Sequence, residues 1–182
     1  VDLFAGCGGL SLGFENAGFK IIAAFEYWAP AADTYEQNLP HPVYRNDLST
    51  EDIDKKVAEL EPDVIIGGPP CQDFSSAGHR DESLGRADLT IAFARIVTAA
   101  EPKVFVMENV PRILKSEALQ SAKTLLSAAG YHLSEVVLDA SRCGVPQKRN
   151  RYFLIGNRNE PSQIVDELLA DMSDTQMTLR DY

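Results

Sequence analysis

Only three of the 182 residues are cysteine and three are histidine, and none of them falls at a spacing suited to a metal. Cys7, Cys71 and Cys143 are odd in number and far apart, so they read as free thiols of a reducing compartment; no metal site is expected. No apolar run reaches the roughly 18–20 residues of a membrane-spanning helix, and no membrane partner is expected. The opening "VDLFAGCGG" lacks the basic flank and cleavage site of a signal peptide. It also lacks Met and starts inside a strand-like run, so the chain is expected to be a piece of a longer protein. Internal repeats and low-complexity linkers are missing as well, which points to one domain around a single core. Basic residues are outnumbered, 17 against 27 acidic, for a net charge of −10. That balance argues against a surface that binds nucleic acid all over. It leaves room for a local patch, because five basic residues, Arg142, Lys148, Arg149, Arg151 and Arg158, fall between 142 and 158 with no Asp or Glu among them.

Short apolar runs alternate with helical patterns, as βα repeats around a mostly parallel sheet require. Strands are expected at "VDLF", "KIIAAFE", "DVIIGG", "KVFVMEN", "LSEVVLDA" and "RYFLIG", with "PVYRND" as a weaker candidate. Helices are expected near Leu10–Ala17, Ala29–Asn38, Thr50–Leu60, Ala87–Ala100 and Ile113–Ala129. Ser49 or Thr50 in "LSTEDI" reads as a helix cap and Gly130 in "AAGYH" as a helix stop. Beyond Gly156 one short amphipathic helix and a polar tail are expected. Ligands of such open sheets bind outside the carboxyl ends of the strands. The informative loops therefore follow Phe4, Glu26, Ile66 and Val106, or precede Tyr152.

"DLFAGCGGLSLGF" runs from a strand through Gly6, Gly8 and Gly9 into a helix, a turn tight enough for backbone to approach a ligand. Glu26 ends the next strand 20 residues after Gly6, where an acid can accept from ribose hydroxyls. The dinucleotide pattern G-x-G-x-x-G is broken by Ser11, and Asp2 and Glu26 disfavour a pyrophosphate. S-adenosylmethionine, with a ribose, a sulfonium and no phosphate, fits better. Cys7 reads as a small buried hydrophobe.

"GGPPCQDFS" places Cys71 at the end of an apolar strand, in a loop that Pro69 and Pro70 stiffen. Glu108 ends the apolar strand "VFVMEN", where an acid is costly unless paired or used. Arg149 and Arg151 in "GVPQKRNRYFLIG" are two apart as a strand begins, so both can face one polar site.

Together "DLFAGCGGLSLGFENAGF", "GGPPCQDFSSAG", "MENV" and "QKRNRYFLIG" resemble, in this order, the DNA (cytosine-5) methyltransferases of bacterial restriction-modification systems. The likeness runs from Asp2 to about Gly156. It implies a Rossmann-like, S-adenosylmethionine-dependent α/β fold: a mostly parallel, doubly wound sheet with a late antiparallel strand. It implies methyl transfer to carbon 5 of cytosine in duplex DNA, leaving S-adenosylhomocysteine. In such a reaction the thiolate of Cys71 adds to carbon 6 of a base flipped from the helix. By the same resemblance Glu108 would hold and protonate the N3 edge. Arg151 would contact the base O2 and orient Glu108, with Arg149 close by. Phe4, Gly6, Gly8, Gly9, Leu10, Glu26, Tyr27, Asp47, Leu48, Pro70 and Leu89 would bind the methyl donor. Asp47 would accept from the adenine amine, and Tyr27 would stack. Gln72, Ser75, Arg86 and Gln147 would meet DNA.

Two departures from the family pattern stand out. "SLGRADL" has Leu84 where an acid usually precedes Arg86, and no variable DNA-reading region or final cofactor-site helix is seen. A trimmed catalytic domain, or a split enzyme completed by a second polypeptide, is expected, inactive by itself and located in the bacterial cytoplasm at the nucleoid. A tRNA cytosine methyltransferase is a rival reading, against which Ser75 stands in a place where that branch carries Thr. A non-catalytic scaffold would not be expected to retain Cys71, Glu108 and Arg151, and a nicotinamide oxidoreductase leaves the thiol without a task.

Overall fold

A computed structural model describes residues 1–70, 88–159 and 163–181. The strands are β1 (Asp2–Leu3), β2 (Ala24–Phe25), β3 (Val43–Tyr44), β4 (Val64–Gly67), β5 (Val104–Asn109), β6 (His132–Asp139) and β7 (Asn150–Asn157). They form one sheet in the order β3-β2-β1-β4-β5-β7-β6. Neighbours from β3 to β5 pair in parallel, whereas β7 runs antiparallel to both β5 and β6. The expected fold class, including the late antiparallel strand, is what the chain adopts. Strands β1 to β3 are only two residues long, shorter than the sequence stretches in which they were expected.

The helices are α1 (Gly9–Asn16), α2 (Ala29–Asn38), α3 (Asp52–Ala58), α4 (Asp88–Ala100), α5 (Glu117–Ala128) and α6 (Ile164–Asp171). Alternation along the strands sends neighbouring side chains to opposite faces of the sheet. Leu3, Phe25, Ile65, Phe105 and Met107 join Ile53, Val57, Phe93, Val97, Leu119 and Leu126 in the main core, under α3, α4 and α5. Asp2 and Ala24 face the other way, toward α1 and α2, where Ala5, Ala24 and Tyr35 form a smaller cluster.

The expected single helix over Ile113–Ala129 is divided. A 3-10 turn spans Pro111–Lys115, and Ser116 then adopts extended backbone and accepts from the Leu119 amide at 3.1 Å, capping α5 anew. The expected Ser49 or Thr50 cap is also displaced. Glu51 occupies the cap of α3, while Asp47 Oδ1 accepts from the Ser49 amide at 2.9 Å and the Asp47 carbonyl from the Thr50 hydroxyl at 2.9 Å. Both residues belong to an Asx-type turn, which satisfies the same groups locally. Gly130 does stop α5, at φ 89°.

A candidate active site at the carboxyl edge of the sheet

The segments leaving β1, β2, β3 and β4 and the end of β5 all emerge on one edge. Because β7 is antiparallel, its beginning reaches the same edge. That topology alone gathers residues separated by up to most of the chain.

The turn after β1 carries Phe4 at φ 57°, in the left-handed region where a bulky residue is strained. Gly8, at φ 90°, leaves no room for a side chain: a Cβ there would come within 2.3 Å of Leu39 and 2.8 Å of Tyr35. Glu26 ties this turn down. Its Oε2 accepts from the Gly6 amide at 2.8 Å and its Oε1 from the Trp28 amide at 2.7 Å. Cys7, expected to be buried, is exposed at the tip, because the tightly seated residue of the turn is Gly8.

Beside the turn lies a hollow of about 320 Å³ lined by Phe4, Phe25, Glu26, Tyr27, Trp28, Asn46, Asp47, Leu48, Gly68, Pro70 and Leu89. Six of the expected donor-binding residues meet there with Phe4. Tyr27 and Trp28 stand at its rim, 72% and 66% exposed. Leu48 belongs to the core as well as to the wall. Trp28 and Asn46 were not singled out by motif; an aromatic directly after the acid–tyrosine pair was the available signal for the first.

A second hollow, of about 510 Å³, is lined by Asp2, Phe4, Ala5, Gly6, Gly9, Leu10, Gly68, Glu108, Arg149 and Phe153. Phe4 and Gly68 line both hollows and so form the boundary between them. Gly68 packs close to the acid: a Cβ on it would lie 3.3 Å from Glu108 Oε2, so the carboxylate would have to shift slightly to admit a side chain. Across β5 and β7, Glu108 pairs with Phe153, which puts Arg151 diagonally beside it on the same face. Arg151 Nε lies 2.8 Å from Glu108 Oε1, with the two side chains 22% and 27% exposed. Arg149 sits one residue before the strand, its amide donating to Asp139 Oδ1 at 3.1 Å. Gln147 is exposed on the preceding loop and lines neither hollow. The basic stretch is thereby divided. Arg142 donates to the Ser173 carbonyl and Arg158 pairs with Glu101, which leaves Lys148, Arg149 and Arg151 toward the functional edge.

Cys71, Gln72, Ser75 and Arg86 lie outside the described residues. The residues just before Cys71 are placed, however. Asn109, buried on the opposite face of β5 from Glu108, donates from Nδ2 to the Pro69 carbonyl at 3.0 Å. Its Oδ1 accepts from the Val110 amide at 2.8 Å. One Glu-Asn pair thus faces the hollow with its first member and holds Pro69, two residues before Cys71, with its second.

Beneath the glycine turn runs a chain of buried polar contacts. Ser11 Oγ donates to Asp2 Oδ2 at 2.6 Å, Tyr35 donates to Ser11 at 2.8 Å, and His41 Nδ1 lies 3.1 Å from the Tyr35 hydroxyl. Asp2 Oδ1 is buried with no hydrogen-bond partner among the described residues. Burial pushes Asp2 up to about 6, against the bond from Ser11. From an ordinary 3.8 in the unfolded chain, this means that the folded protein binds more protons across that interval. Stability from this group therefore falls as pH rises through about 4 to 6 and stays lower above it. Asp2→Asn is expected to flatten that slope, raising stability at pH 7 relative to pH 4 by on the order of 2 kcal/mol against wild type. Denaturant melts of both proteins at the two pH values measure the difference; parallel pH profiles would show Asp2 to be ordinary.

The arrangement offers a nucleoside-sized hollow with an acid and aromatics, and an adjoining hollow lined by Glu108 and Arg149, with Arg151 paired to Glu108. The family model for C-5 cytosine-specific DNA methylases matches residues 1–182. The chain is 55% identical over 184 residues to the Type II methyltransferase M.HindV of Haemophilus influenzae, covering all of this chain and 60% of that protein. It is 52% identical over 189 residues to the Type II methyltransferase M.HgiDI of Herpetosiphon aurantiacus, again covering all of this chain and 60% of the relative. Among solved structures, a prophage-encoded DNA modification methyltransferase of E. coli superposes with a TM-score of 0.81 at 35% identity, over 99% of this chain and 52% of the other. The chain thus spans about 60% of the length of these curated relatives.

Proposed function

The chain belongs to the C-5 cytosine-specific DNA methylase family, and from that premise we propose that it carries the catalytic machinery for methylating carbon 5 of cytosine in duplex DNA, with S-adenosylmethionine as donor. The observation that carries the proposal is Glu108, paired with Arg151 at 2.8 Å and lining, with Arg149, a hollow that shares Phe4 and Gly68 with the nucleoside-sized one.

The residues present fit that donor. Glu26 stands where ribose hydroxyls can bond, and Tyr27 and Trp28 offer faces for a purine. Asp47 and Leu48 supply a polar and an apolar wall, with Pro70 and Leu89 opposite. Gly6 and Gly9 present bare backbone to the adjoining hollow. When bound, the donor supplies a methyl group activated by a positive sulfonium. In the second hollow Glu108 would grip the N3 and amine edge of a flipped cytosine and give N3 a proton as charge builds on the ring. Arg151 would hold Glu108 in place and reach toward the base O2, with Arg149 at the mouth for a phosphate. Cys71, two residues after the Pro69 that Asn109 holds, would attack carbon 6. Gln72, Ser75, Arg86 and Gln147 are proposed to contact DNA. The same proposal leaves reading of the DNA sequence to a further region, on this polypeptide or a second one, and places the protein in restriction-modification, in the bacterial cytoplasm.

Glu26→Gln tests the nucleoside hollow. The amide nitrogen would have to face either the Gly6 or the Trp28 amide, two donors opposed, and one acceptor for ribose is lost. Calorimetry with S-adenosylhomocysteine is expected to show affinity reduced by about tenfold or more. Unchanged affinity would take Glu26 out of the binding site.

A further inference from the structure

Arg95, on α4, places its guanidinium against the far side of the loop that carries Asp47 and Leu48. Nη2 donates to the Leu48 carbonyl at 3.1 Å and the Thr50 carbonyl at 2.9 Å, Nη1 to the Ser49 carbonyl at 3.1 Å, and Nε to Asp54 Oδ1 at 3.0 Å. Three successive carbonyls thus converge on one side chain from 45 to 47 residues away. A flat fork of five N–H groups is the one side chain able to collect acceptors arranged in this way. The loop's own bonds are short-range, from Asp47 to Ser49 and Thr50. They shape the turn without fixing it to the body of the protein. Lys56 of α3 adds a second tether, donating to Asn46 Oδ1 at 3.0 Å while lying 4.4 Å from the centre of the Tyr44 ring. The helix bearing Arg95 also contributes Leu89 to the same hollow. One rigid element therefore supplies one wall and secures the other.

We infer that Arg95 is a positioning residue for donor binding: it holds the Asp47–Leu48 loop at the spacing from Leu89 and Pro70 that a purine nucleoside requires. The inference rests on reading that hollow as the nucleoside site. Without the guanidinium the loop keeps its turn but moves against α4, and the ligand has to order it on binding. Glu108, assigned to the chemical step, lines the other hollow and makes no contact with this loop among the described residues.

The test uses methyl-transfer kinetics and S-adenosylhomocysteine calorimetry on the DNA-methylating form of the protein. Arg95→Met is expected to raise KM for S-adenosylmethionine about tenfold, with kcat within about threefold of wild type and a matching loss of S-adenosylhomocysteine affinity. Arg95→Lys, which retains donors for part of the cluster, should fall between the two and serves if the Met variant does not fold. Asp54→Asn, which removes the ion pair but leaves the three carbonyl contacts, should keep KM near wild type. A KM unchanged in both Arg95 variants, or raised equally by Asp54→Asn, overturns the inference while Glu26→Gln still weakens binding. If Glu26→Gln and the Arg95 variants all bind S-adenosylhomocysteine normally, the reading of the hollow fails and the inference with it.

Discussion

Serine in place of Cys71 is expected to abolish methyl transfer, lowering the rate by on the order of 10⁴-fold or more. Carbon 5 of cytosine is a poor nucleophile until carbon 6 has taken an electron-rich substituent. A hydroxyl at neutral pH supplies almost no anion for that purpose, whereas a thiol does so at a small cost. The described residues before it support the assignment to this thiol. Pro69 is held by Asn109, Gly68 lines both hollows beside Glu108, and Pro70 lines the nucleoside hollow, so the described chain up to Pro70 runs along the boundary of the two hollows. The substitution is not expected to alter S-adenosylhomocysteine binding, which calorimetry checks beside a methyl-incorporation assay. Activity within about tenfold of wild type, in a protein that binds donor normally, would remove Cys71 from the nucleophile's role.

Glu108→Gln is expected to lower kcat by about 10²–10⁴-fold, the range associated with loss of a positioned general acid. The amide can hydrogen-bond to a base edge but cannot give N3 a proton. The cost to stability should be small. Glu108 and Arg151 are each about a quarter exposed, and an ion pair so accessible to water contributes at most about 1 kcal/mol. Arg151→Ala should also lower kcat. Because Arg151 acts partly through Glu108, the double variant should lose less than the product of the single losses. Stopped-flow or single-turnover rates for the four proteins decide it. A loss below about tenfold for Glu108→Gln, or strict multiplicativity, would reduce Glu108 to a strand-end acid with an ordinary partner.

Much of the fold was legible in the sequence because each apolar run is bounded by a residue with a local reason to end it. "DVIIGG" and "KVFVMEN" became β4 and β5, and Ala29–Asn38 became α2 with those limits. Errors arose where two local signals competed. Ser116 could continue a helix or cap one, and the 3-10 turn from Pro111 decided for the cap. Ser49 and Thr50 could cap α3 or close a turn on Asp47, and the turn prevailed. Cys7 was misjudged because burial within a tight turn falls to the residue facing α2, which is Gly8.

In the candidate site, the residues proposed for chemistry could be picked out by type: an acid ending an apolar strand, and arginines where another begins. The residues that hold them were not. Asn109 touches Pro69 from 40 positions away. Tyr35 reaches Ser11 across 24 positions, and Arg95 finds its carbonyls across more than 40. Such contacts depend on where helices cross the sheet, which no spacing along the chain records. Nor does the sequence reveal that Arg142 is bonded to the Ser173 carbonyl, or that Arg158, at the far end of β7, pairs with Glu101.

The most direct test is covalent trapping. The protein is incubated with S-adenosylmethionine and duplex DNA carrying 5-fluorocytosine, whose fluorine replaces the carbon 5 proton that must leave to free the thiolate, and the product is digested for peptide mass spectrometry. The expected result is a stable protein–DNA adduct that needs the methyl donor and maps to the peptide containing Cys71. An adduct on Cys7 or Cys143, or none from a preparation that methylates unmodified DNA, would contradict the assignment of one thiol, one acid and one arginine to a single flipped base.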